Sequence, residues 1–281
     1  MLKSLQKAFK VKEVRDRLLY TFMMLVVIRI GCCLPIPGVD PSYLHDFFSN
    51  LQSSGMGFFN AITGGSFSSM SIFALSITPY ITSSIIMQLL TIAIPKLEEM
   101  QKDGEDGRKK IAEYTRYLTV GLALFESCAM AVGLGGKGLL LEDHRNVWGY
   151  LTVVAAMTAG SALLMWIGER ITDNGVGNGI SIVLLINIVS GTPQDMMTLY
   201  ERFMAGRSVA VATVSGIIVL AIIVAIVVFV LVLNDAERRI PVQYSKKMQG
   251  RRMIGGQSTY IPLKVNTANV IPVIFASSIM S

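Results

Sequence analysis

Three stretches of this chain, 72–95, 147–167 and 209–233, carry no charged residue. Each has the roughly 20 residues that a helix rising about 1.5 Å per residue needs to cross about 30 Å of hydrocarbon. A core helix in a soluble domain alternates with a polar face, and 209–233 has none. The same patterning predicts apolar elements at 18–34, 117–134 and 179–190, and the start of a last one at Val270. Arg29 interrupts the first of these, Glu126 interrupts 117–134, and 179–190 is shorter than an ordinary span. Trp148 and Trp166 bracket 147–167 about 27 Å apart on a helix, matching the two interfacial aromatic belts.

Charge placement orients these elements. Lys3, Lys7, Lys10, Lys12, Arg15 and Arg17 fill the N-terminal arm, and Lys96, Lys102, Arg108, Lys109, Lys110 and Arg116 fill the second connection. Arg170 lies in the fourth, and the sixth holds Arg238, Arg239, Lys246, Lys247, Arg251, Arg252 and Lys264. The alternate connections hold only Lys137, Arg145, Arg202 and Arg207. This asymmetry predicts a cytoplasmic N-terminus, provided that 179–190 crosses fully. The whole chain is 52% apolar and 16% charged, against about 25% charged in soluble domains. A polytopic membrane protein is expected, and the long polar N-terminal arm is not a cleaved signal peptide.

Candidate chemistry is sparse. Cys32, Cys33 and Cys128 lie in apolar stretches with no metal-ligand or disulfide spacing, and read as buried thiols. His45 and His144 fall in external segments without partners at metal-ligand spacing. No zinc-protease or nucleophile-elbow pattern occurs, so neither an enzyme nor a cofactor is expected. The glycines of 168–179 follow no strand and precede a span, which favours a tight cytoplasmic turn over a nucleotide cradle.

Four features go further. Residues 57–71 (GFFNAITGGSFSSMS) are uncharged and too short and polar to span. They read either as a half-helix at membrane depth or as an interfacial external loop. In 234–264, Arg238-Arg239-Ile240-Pro241-Val242-Gln243-Tyr244 alternates with a strand-like period. A projecting hairpin with a cationic tip would attract RNA phosphate or an acidic protein surface, and anionic lipid would satisfy an ordinary positive-inside loop. Arg29 and Glu126, the charges deep within spans, are costly there unless paired or wet. Their similar depth leads us to expect them close enough to interact.

An ordered set of motifs makes these features recognisable. They include Arg29-Ile30-Gly31 with Pro35-Ile36-Pro37-Gly38, and Thr78-Pro79-Tyr80-Ile81 through Gln88-Leu89-Leu90. Gly107-Arg108-Lys109-Lys110-Ile111, Tyr114-Thr115-Arg116-Tyr117 and 175–181 follow, then Pro262-Leu263-Lys264-Val265-Asn266 and Ile271-Pro272 with Phe275-Ala276-Ser277-Ser278. Together they resemble the SecY family, the central subunits of the bacterial protein-conducting channel, over essentially the whole chain.

The resemblance implies an all-α polytopic helix bundle of ten spans in two pseudo-symmetric halves in the cytoplasmic membrane. It divides this chain into an N-terminal arm 1–17, a first half-bundle 18–190, an external loop 191–208 and the start of a second half-bundle 209–281. The chain ends at Ser281 inside the seventh span, so the eighth-span wall of the gate is expected to lie outside it. The resemblance also implies a pore ring of Ile77, Ile81, Ile180, Leu184 and Ile274. A plug is expected over 57–71, with Phe58, Phe59, Ile62, Gly64, Gly65 and Phe67. A lateral gate would involve Ser83, Ser84, Gln88 and Ser127 facing Asn266 and Ile274, with Glu126 departing from the uncharged residue usual nearby. Arg238, Arg239, Lys246, Lys247, Arg251 and Arg252 match a docking region for the ribosome or the SecA motor. The implied partners are SecE, SecG, SecA, the ribosome, signal sequences, translocating polypeptides and anionic lipids, with no DNA. A secondary transporter for a small solute is the competing reading, but such proteins bind substrate through mid-membrane polar groups, and this chain offers few.

Overall fold

In a computed structural model of the chain, the described residues are 11–39, 63–135, 140–141, 146–206, 208–242, 247–249, 252–254 and 259–267. Among them the helices are α1 (Lys12–Cys33), α2 (Thr78–Ala93), α3 (Pro95–Lys102), α4 (Glu105–Gly135), α5 (Val147–Asn174), α6 (Gly179–Phe203) and α7 (Val209–Asp235). The strands are β1 (Glu237–Val242), β2 (Lys247–Gln249), β3 (Arg252–Ile254) and β4 (Thr259–Lys264). Among the described residues, α5, α6 and α7 are each long and apolar enough to cross a bilayer. The α2–α3 pair, bent by 103° between Ala93 and Pro95, adds a fourth crossing if it is one broken span. The expected polytopic helical architecture is present.

Two boundaries differ from the sequence reading. The apolar run 72–95 is not one helix, because 72–77 form successive turns and α2 begins at Thr78. Pro79 supplies the reason. Its ring lacks the N–H that would bond the Leu75 carbonyl and would clash with that carbonyl in a continuous helix. Ser76, at φ 54°, turns the chain immediately before the helix. The element expected at 179–190 instead runs to Phe203, so much of the predicted loop 191–208 is helical. Gly191-Thr192-Pro193 reads as a local stop, yet Pro193 removes one helical hydrogen bond while continuation adds one for each later residue.

The chain divides into two compact units at Pro193. In the first, one apolar cluster gathers Ile36, Phe67, Met70, Leu75, Ala123, Val153 and Met157. A second gathers Ile28, Phe73, Ile77, Leu164, Ile167, Ile171 and Val183. Small residues permit the close approaches, as is usual between helices in membranes. A Cβ on Gly160 would collide with the Ile72 carbonyl, and one on Gly179 with the Gly168 carbonyl. The strand-like turn at Pro35 is fastened to the segment before α2 by Ile36 N–H donating to the Met70 carbonyl (3.0 Å) and Ile72 N–H donating to the Leu34 carbonyl (3.0 Å).

In the second unit, the Ser215 hydroxyl of α7 donates to the Phe203 carbonyl at 3.0 Å, joining α7 to the end of α6. Beyond α7, β1 pairs antiparallel with β4 from Glu237↔Lys264 to Val242↔Thr259. The β2 and β3 strands pair from Lys247↔Ile254 to Gln249↔Arg252. The pairs are nested in chain order, β2–β3 inside β1–β4, and β1–β4 is a two-stranded ribbon. Pro241 and Pro262 occupy pairs two residues apart, so both fall on the same kind of rung. Proline, which has no N–H, fits the rung whose amides face away from the partner strand.

Candidate functional site

Four of the five positions expected in the ring converge. Ile77 is 1% exposed within the second apolar cluster, and Ile81, Ile180 and Leu184 pack against that cluster. Ile77 and Ile81 lie four residues apart, one helical turn, at the start of α2. Ile180 and Leu184 do the same on α6, so each helix offers two stacked branched side chains. Ile274 lies outside the described residues, as do Phe58, Phe59, Ile62, Lys246 and Arg251.

The described part of the plug-like segment, 63–71, is a compact turn. Gly64 and Gly65 adopt φ of 66° and 81°, a region glycine enters without a steric cost. Ser68 and Ser69 hydroxyls donate to the Gly65 carbonyl at 2.9 and 3.0 Å, and Ser71 N–H to the Ser66 carbonyl at 3.1 Å. Phe67 and Met70 enter the first apolar cluster. The turn is therefore seated against the first apolar cluster.

Polar side chains that the sequence reading passed over hold this region. Asn187, 1% exposed on α6, donates from Nδ2 to the Ser76 hydroxyl at 3.0 Å. Ser161 on α5 donates to the Ser76 carbonyl at 3.4 Å. An asparagine within the apolar run Leu184–Val189 carried a usable signal, because a polar residue at membrane depth requires a partner. Ser76 carried none; nothing local foretells its left-handed backbone.

Arg29 and Glu126 are not paired, contrary to expectation. Arg29 Nη1 donates to the Ser190 hydroxyl at 2.8 Å, and no ion pair involves either residue among the described ones. Equal depth on two helices does not fix their azimuth, which decides what a side chain meets.

The expected gate residues divide. Ser83 and Ser127 are fully buried, bonded to the Pro79 carbonyl (2.7 Å) and the Thr158 hydroxyl (2.9 Å) respectively. Ser84 is half-buried and Gln88 exposed in the first unit, while Asn266 is half-buried in the second.

At the end predicted to be cytoplasmic, Arg116 Nε donates to Glu169 Oε1 at 2.8 Å, bridging α4 and α5. That bond raises the Arg116 pKa above its ordinary value. Both groups keep solvent contact, so Glu169→Gln is expected to lower stability by no more than about 1 kcal/mol, read from thermal unfolding in detergent. A larger loss would mean that the bridge organises the helix ends. The glycine-rich turn 175–179 is occupied by protein groups. Val176 N–H donates to the Thr21 hydroxyl (3.2 Å), Gly179 N–H to the Thr172 hydroxyl (2.9 Å), and Ile180 N–H to Asn178 Oδ1 (3.0 Å). The Thr172 hydroxyl and Asn178 Oδ1 thus cap the first amides of α6, consistent with a tight turn. On the ribbon, the Arg239 guanidinium lies 4.7 Å from the centre of the Tyr260 ring, and Arg238 sits beside Leu263 on the other face.

Relatives now bear on this arrangement. A SecY family model matches residues 71–281. The protein translocase subunit SecY of Streptomyces scabiei is 46% identical over 100% of this chain and 65% of the relative. Its counterpart in Pseudomonas aeruginosa is 44% identical over 95% of this chain and 60% of the relative. The chain thus spans 60–65% of the length of these two relatives. A solved protein-conducting channel superposes with a TM-score of 0.54 at 21% identity, covering 94% of this chain and 56% of that one. Sec61 in the canine ribosome–channel complex from the endoplasmic reticulum gives 0.52 at 21%, with the same coverages. These distant structures speak to the fold alone; by the family model and the 44–46% identical relatives, the chain belongs to the SecY family.

Proposed function

We propose that this chain supplies the first half-bundle, and the opening of the second, of a channel that passes unfolded secretory polypeptides across the cytoplasmic membrane and releases apolar segments sideways into lipid. The observation that carries the reading is the convergence of Ile77, Ile81, Ile180 and Leu184 on one apolar cluster, in a chain 46% identical to a translocase subunit. Branched aliphatic side chains around a narrow opening dewet it and bar ions, yet deform around a passing chain. The turn at 63–71, with the rest of 57–71, closes the opening as a plug. Ser84, Gln88 and Asn266 belong to the lateral gate, with the N-terminus and the ribbon in the cytoplasm. SecE and SecG complete the assembly, and no catalytic step is assigned to this chain. The deciding experiment reconstitutes the full-length protein with those subunits and offers SecA, ATP and a secretory precursor. Protease-protected precursor is expected; uptake of a small solute with no precursor import would favour a transporter instead.

The ribbon is the proposed dock for SecA or the ribosome. Reversing Arg251 and Arg252 to Glu is expected to weaken binding roughly thirtyfold at low salt, about 1 kcal/mol for each of the two positions. The defect should shrink as added salt shortens the screening length. Unchanged binding at low ionic strength, measured by sedimentation with vesicles, would remove this role.

A further inference from the structure

Three structural attachments meet at Asn187. Its side-chain amide donates to the hydroxyl of Ser76, the residue before Ile77 and a non-glycine held at φ 54°. Its carbonyl accepts the Ser190 hydroxyl proton at 2.6 Å, and the same Ser190 oxygen accepts from Arg29 at 2.8 Å. The plug-like turn presses on this point, since a Cβ on Gly64 would stand 2.7 Å from the Asn187 carbonyl oxygen and 2.9 Å from the Ser190 hydroxyl. Gly64 is thus required for two reasons, its φ of 66° and the space its missing side chain leaves.

We propose that Asn187 is a positioning residue that couples the plug-like turn to the apolar ring, with Arg29 and Ser190 fixing the α6 backbone against which the turn rests. The inference rests on reading 63–71 and the ring as the closure of a channel. Serine in the left-handed region persists only where its surroundings hold it. The Asn187 amide and the Ser161 hydroxyl are those surroundings. Without the amide, 72–77 relaxes toward ordinary backbone, Ile77 leaves its place in the cluster, and the surface facing Gly64 changes shape. Loosening the ring and unseating the turn are then one event rather than two.

Cys32 provides the readout. It is 5% exposed and lies against Ser66 of the turn, so its thiol becomes reactive when the turn lifts. The full-length protein with its partner subunits, carrying Cys33→Ala and Cys128→Ala, is treated with a maleimide and the labelling rate of Cys32 is followed. Asn187→Ala is expected to speed labelling about tenfold, the factor corresponding to about 1.4 kcal/mol of lost hydrogen bonding. Ser76→Ala, which deletes the hydroxyl but keeps a Cβ at the left-handed position, is expected to do the same. The double variant should label no faster than either single one, because both remove one bond. Wild-type labelling in Asn187→Ala, or single effects that multiply in the double variant, would overturn the coupling. If Asn187→Ala fails to accumulate in the membrane, Ser76→Ala decides alone, and a wild-type rate overturns it. Ile81→Asn separates the two levels of inference. If that variant leaks ions while Asn187→Ala leaves Cys32 protected, the seal stands and the coupling is wrong. If it stays tight, the seal reading fails and the coupling with it.

Discussion

Replacing Ile81 by Asn in the full-length, reconstituted protein is expected to raise the resting ion leak by at least about tenfold and to admit precursors with defective signal sequences. Ile81 packs against the buried cluster that holds Ile77. Burying a branched aliphatic side chain favours the closed arrangement by about 1.5–3 kcal/mol. An amide in its place loses that term and asks for water or a hydrogen-bond partner at a further cost of about 1–3 kcal/mol. Hydration of the constriction then competes with closure. Since about 1.4 kcal/mol is a factor of ten, even the low end of the combined change, about 2.5 kcal/mol, suffices for the stated leak. Dye efflux from proteoliposomes measures it, and efflux at the wild-type rate would remove Ile81 from the seal.

Gly160→Leu is expected to damage the first unit severely. A Cβ at Gly160 would already collide with the backbone carbonyl of Ile72, and backbone cannot step aside as a flexible side chain can. Overpacking in a core typically costs about 1–3 kcal/mol, and here the obstruction lies where α5 meets the turns that set Ile77. Little folded protein is expected after extraction, together with a lowered unfolding temperature. Gly121→Ala on α4 is the matched contrast. Nothing stands within 4 Å of its added Cβ, and a helical Gly→Ala exchange is favourable by up to about 1 kcal/mol. Equal losses from the two substitutions would mean that the close approach at Gly160 does not govern stability.

Much of this architecture is legible in the sequence, for reasons that differ by element. The uncharged run 209–233 needs no tertiary context, because hydrocarbon admits no alternative to a continuous helix. The ribbon was visible in the alternation from Arg238 to Tyr244, although its pairing depends on residues some twenty positions further along the chain. Less legible was the start of α2. Hydropathy registers how apolar 72–77 are, but not that Pro79 forbids the helix from running through them. The Arg29 partner was missed because depth along a helix can be counted from sequence whereas direction around it depends on packing. Ring positions are another matter: no period or composition marks Ile77 among so many isoleucines, and only the motif resemblance singled it out before the cluster was seen.

The elbow between α2 and α3 has a metric consequence. Ile81 stands thirteen residues before Ile94, about 20 Å along a straight helix. On the proposed channel reading, with the elbow among the headgroups a few ångströms outside the hydrocarbon, that distance would bring Ile81 close to the middle of a film about 30 Å thick. A helix turned sideways there would act as a ruler, setting the height of the proposed constriction. Lipids with longer or shorter tails should displace that point from the centre, making chain length a variable to which tightness responds.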